Sequence, residues 1–83
     1  MPVTIPHEPD LVLISWTRNP LQPGSPRRIT AVRVIGSASP CRNLLRPNLL
    51  LRTALRCLKD NGFRIVVSRK STDVSGFVLL KRS

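Results

Sequence analysis

The sequence predicts a small α+β domain in the order β-β-α-β-β, a four-stranded antiparallel sheet with one helix on one face. Three observations carry this prediction. All eight prolines fall within the first 47 of 83 residues, which leaves a regular second half. One stretch of that half repeats its apolar residues at helical spacing, with an asparagine before it and a glycine after it. Two β-rich segments precede this stretch and two follow it.

Residues 1–10 hold Pro2, Pro6 and Pro9, which break helices and interrupt ladders, so they read as an extended arm ahead of one domain over 11–83. Leu11 to Arg18 (LVLISWTR) reads as a strand with Val12, Ile14 and Trp16 on one face. Asn19 to Pro26 has a loop composition, and Arg28 to Ile35 (RITAVRVI) is a second strand rich in β-branched residues. Gly36 to Pro47 is an irregular connector.

The helix is expected over Leu49 to Asn61, with Asn48 as N-cap and Gly62 as the C′ residue. Leu51, Ala54, Leu55 and Leu58 form its buried stripe, while Arg52, Arg56 and Lys59 share the opposite side. Phe63 to Lys70 and Val74 to Arg82 then make a hairpin. If its turn centres on Thr72, Phe63, Ile65, Val67, Phe77 and Leu79 cover the helix stripe. Arg64, Val66, Val78, Leu80 and Arg82 then lie on the uncovered face. A one-residue slip exchanges the two faces.

Size and charge bound the function. Lys and Arg number 14 and Asp and Glu 4, a net charge of +10 on one small domain. A chain this short buries only about 60% of its unfolded surface, which makes oligomerisation a common remedy. A multidomain enzyme, an acidic disordered tail and a collagen-like or coiled-coil rod are excluded. The excess is mostly arginine, 11 against 3 lysines. A codon bias that raises Arg, Pro, Ser and Leu together gives the same ratio, yet the positive field remains and attracts polyanions.

Catalytic residues are sparse. The one histidine, His7, lies in the arm beside Glu8 and Asp10, and Asp60 and Asp73 read as helix-end and turn residues. No two acids are spaced to share a proton, so no enzyme activity, metal or cofactor is expected. Cys41 and Cys57 form no CxxC and have no histidine partner, so they fit neither a zinc site nor a redox motif. They read as free thiols, Cys57 a small core residue and Cys41 in the connector, with a disulfide between them as the alternative. The opening residues lack a signal-peptide pattern and Leu11 to Ile14 is too short to span a bilayer, so the expected location is the reducing cytoplasm, with nucleus or nucleoid as variants.

The helix, the Asn-Gly-Phe that follows it and the hairpin resemble the outline of HicA-type RNA-cleaving toxins over Leu55 to Leu80. Those toxins carry a catalytic histidine in the strand after the glycine-phenylalanine turn. Here that stretch reads RIVVSRKS, so the resemblance extends to topology and transfers no catalytic residue.

Two binding functions fit better. The first is nucleic-acid binding through phosphate contacts. Its candidates are Arg27, Arg28 and Arg33; Arg52, Arg56 and Lys59; and Arg64, Arg69, Lys70, Lys81 and Arg82. No sequence-reading motif accompanies them, and Trp16, Phe63 and Phe77 are too few for a stacking platform. The second is a viral or phage accessory protein that binds a host protein of acidic character. Trp16, Val66, Val78 and Leu80 would form its interface, or a homodimer's. No membrane role is expected.

Overall fold

A computed structural model describes residues 9–22 and 24–82. The arm expected over residues 1–10, with His7 and Glu8, lies outside these residues except for Pro9 and Asp10, and Asp10 already belongs to the first strand. The elements are β1 (Asp10–Thr17), β2 (Arg28–Ile35), α1 (Leu51–Asp60), β3 (Arg64–Thr72) and β4 (Ser75–Arg82), with one 3-10 turn at Arg42–Leu44. The β-β-α-β-β order and the antiparallel four-stranded sheet are as predicted, and the strands run β2-β1-β4-β3 across the sheet.

One apolar face of the sheet makes the core. Val12, Ile14 and Trp16 on β1 stand opposite Leu80, Val78 and Gly76 on β4. Ile29 of β2 joins them, and Leu51, Ala54 and Leu58 of α1 lie against this layer in the same buried cluster. Fully burying a leucine of this kind contributes about 2–3 kcal/mol.

The sequence placed Phe77 and Leu79 against the helix and left Val78 and Leu80 uncovered; the structure reverses this. Val78 is 3% exposed and Leu80 fully buried, whereas Phe77 and Leu79 are partly exposed on the far side. Two features set the reversal. The hairpin closes through Thr72 and Ser75, and a bulge at Ser71, between Lys70 and Thr72, then brings Val67 opposite Leu79 rather than Phe77. A bulge at Val66, between Ile65 and Val67, then inverts the alternation along β3. Opposite Trp16 stands Gly76, where a Cβ would lie 2.8 Å from the indole and would overlap the Arg69 carbonyl. The bulk of Trp16 on one strand and the absence of a side chain on the next therefore fix which face of β4 turns inward.

The helix begins later than expected. Its N-cap is Leu50, which offers no side-chain cap. Asn48 is not the cap: its backbone is left-handed (φ 72°), its N–H donates to the Ile29 carbonyl, and its own carbonyl accepts from Arg28. Asn48 thus ties the connector to β2, and Leu51 N–H donates to the carbonyl of Arg27, the residue just before that strand. The C-terminus follows expectation. Gly62 takes a positive φ of 93°, its N–H donates to Lys59 O, and Phe63 N–H donates to Leu58 O, a Schellman closure.

Two further links hold the connector to this frame. Cys41 is bonded to Cys57 across 16 positions, so the free thiols expected from the sequence are corrected. The connector's path lays a fully buried Cys41 against the helix, and spacing along the chain carries no trace of that path. The second link is Asp10. Its carboxylate accepts from Arg82 Nε at 3.0 Å and Nη2 at 2.8 Å, and from the Ser37 amide at 3.0 Å. Arg82 also donates to the carbonyls of Ser37, Ser39 and Asn61 and lies over the Phe63 ring at 4.4 Å. Gly36, at φ 82°, leaves room for this carboxylate: a Cβ there would overlap Asp10 Oδ1.

Candidate polyanion interface

The outward side of α1 is a row of cations. Arg52, Arg56 and Lys59 are exposed, while Leu51, Ala54 and Leu58 on the inner side are buried. None of the three cations makes a hydrogen bond or ion pair with another described residue. Asp60, in the last turn, is the only acid on the helix. A long cationic side chain in this state is free to exchange its hydration for a phosphate oxygen.

At its start the row opens into a groove of about 470 Å³ lined by Gly24, Pro26, Arg27, Leu50, Leu51, Arg52 and Leu55. A shallower hollow continues along Arg52, Leu55, Arg56, Lys59 and Asp60. The loop before β2 supplies one wall, and Arg27 is held there by lying over the Trp16 ring at 4.4 Å. The guanidinium is thus positioned by a cation–π contact, and its orientation does not depend on a carboxylate. The helix end that meets this groove has no side-chain cap and no acid in its first turn. Its partial positive charge adds to that of the two arginines.

The other sequence-derived candidates divide. Arg28 is exposed but bonds the Asn48 carbonyl at 2.9 Å, so it helps to hold the loop. Arg82 is the partner of Asp10 and is not available to a ligand. Arg64, Arg69 and Lys70 are exposed on β3, at the edge of the sheet, and are not brought together with the helix row. Of the expected protein-interface residues, Trp16, Val78 and Leu80 belong to the core and only Val66 is exposed, at 43%. The sequence reading did not single out Arg42 and Arg46, which are exposed on the connector. Only their charge marks them, because no periodicity runs through that segment.

Among the described residues no group of three His, Cys, Asp or Glu side chains lies close enough to hold a metal ion. No helix among the described residues is long and apolar enough to cross a membrane. No family model, curated protein or solved structure matches this chain.

Proposed function

We propose that this protein binds nucleic acid through the phosphate backbone, with Arg52, Arg56 and Lys59 of α1 and Arg27 of the adjoining loop as the contacts. The observation that carries this reading is the row of three exposed cations with no carboxylate partner, continuous with a groove whose arginine is already oriented. Phosphate contacts position a protein on nucleic acid without reading bases. The groove's apolar lining by Leu50, Leu51 and Leu55 offers no set of hydrogen-bonding groups aimed at base edges, so the binding proposed is independent of sequence.

The test is equilibrium binding to a mixed-sequence duplex DNA and to a single-stranded RNA at several salt concentrations. Four phosphate contacts give a slope of log K against log salt of about −3.6 on duplex DNA and about −2.8 on a single strand. The R52E/R56E double variant is expected to weaken binding at least tenfold and to lower the slope, with its circular dichroism and unfolding midpoint unchanged. Binding that is flat in salt, or the same in the double variant, overturns the proposal.

A further inference from the structure

The sheet face turned away from the helix is apolar at its centre and cationic at its rim. Leu13, Leu79 and Val67 stand side by side across β1, β4 and β3, with Phe77 the next residue of β4 on the same face. All four are partly exposed, and no described element packs over them. On the flanks, Arg33 of β2 stands opposite Leu13 and Arg69 of β3 opposite Phe77, both exposed. Lys81 and Arg64 face each other at one end. None of the described acids shares this face: Asp10 is held by Arg82, Asp60 ends the helix and Asp73 lies in the β3–β4 turn.

The dimensions and the charge select the occupant. Three strands spaced at about 4.8 Å give an apolar band roughly 10 Å wide, which is the width of one α-helix with its side chains, about 10–12 Å. A second copy of the chain would set two groups of four cations against each other with no carboxylate between them. A nucleic-acid strand would find one aromatic ring and otherwise aliphatic side chains, on which bases do not stack. We infer that this face binds a short amphipathic helix of an acidic partner protein, with its apolar stripe on Leu13, Leu79 and Phe77 and its carboxylates reaching Arg33 and Arg69. This surface lies on the opposite layer from the helix row and is independent of it.

The probe is a synthetic 14-residue capped peptide with leucines at positions 1, 4, 5, 8, 11 and 12 and glutamates elsewhere. Its control is a peptide of the same composition scrambled to break the stripe. Added to the isotope-labelled full chain, the first peptide is expected to shift the amide signals of residues 11–15 and 77–81 and to become helical. Its affinity is expected to fall at least tenfold in R33E/R69E, whose substitutions lie on exposed side chains, and in L13S. Four results would overturn the inference: equal binding of the scrambled peptide, shifts confined to residues 52–59, a concentration-dependent dimer that L13S abolishes, or the same amide shifts with a uridine oligonucleotide in place of the peptide.

Discussion

Replacing Asp10 with asparagine changes one charge and almost no volume, at the point where the beginning of β1 meets the end of β4. Among the described residues the carboxylate accepts N–H groups at 2.8, 3.0 and 3.0 Å. An asparagine in the same place has one acceptor oxygen and presents an NH2 group to the remaining donors. At least one charge-assisted bond is lost, each worth about 1.5–3 kcal/mol, and Arg82 is left short of its counter-charge. The two side chains are 24% and 12% exposed, so water recovers part of the loss. The expected cost is about 2–3 kcal/mol, below the ~3–5 kcal/mol typical of a fully buried pair. In a domain of this length that lowers the melting temperature by roughly 8–24 °C. Urea unfolding of D10N, R82M and the double variant measures the effect, and the thermodynamic cycle isolates the pair. A loss below ~0.5 kcal/mol in D10N, or additive single losses, would refute the reasoning, because independent sites add to within that margin.

Three further outcomes follow from the packing. Leu80→Ala should destabilise by about 2–5 kcal/mol and Leu79→Ala by far less, which tests the hairpin register directly by denaturant midpoint. Gly76→Ala should cost about 3 kcal/mol or more, because the added methyl meets the Arg69 carbonyl as well as the Trp16 ring and β3 must shift with the indole, visible as a changed near-ultraviolet signal; an unaltered signal contradicts the contact. Reducing the Cys41–Cys57 bond should remove about 3 kcal/mol, the entropy associated with a loop of that size, and two titratable thiols in the untreated native protein would contradict the bond.

Much of the architecture was legible because it depends on local chemistry. The helix stripe at Leu51, Ala54 and Leu58 (Leu55, expected in it, is only partly buried and lines the groove), its cationic back and the glycine that ends it are matters of periodicity and φ, which neighbouring residues determine. The two-residue turn of the last hairpin and the extra residues at Val66 and Ser71 were not legible, since β3 is apolar at Ile65, Val66 and Val67 alike and polar from Ser68 onward, so its alternation favours neither face. The consequence was large, because Val78 and Leu80 moved from a supposed docking surface into the core. Arg52, Arg56 and Lys59 survive as a candidate site because exposure on a helix follows from spacing alone. Arg82 does not, because its engagement depends on Asp10, a residue 72 positions away.

The strand order has a bearing on how the protein is made. β4 follows the other three described strands in the sequence, yet it lies between β1 and β3 in the middle of the layer. Until it emerges from the ribosome, β1 lacks one of its two neighbours and β3 has none, so the leucines of the helix have no finished floor to settle on. Such distant pairings are slow to form, because chain entropy must be lost before any contact repays it. A shortened product ending near Asp73 would therefore be a sticky, unfinished chain and a ready target for chaperones and proteases, not a weaker version of the same domain.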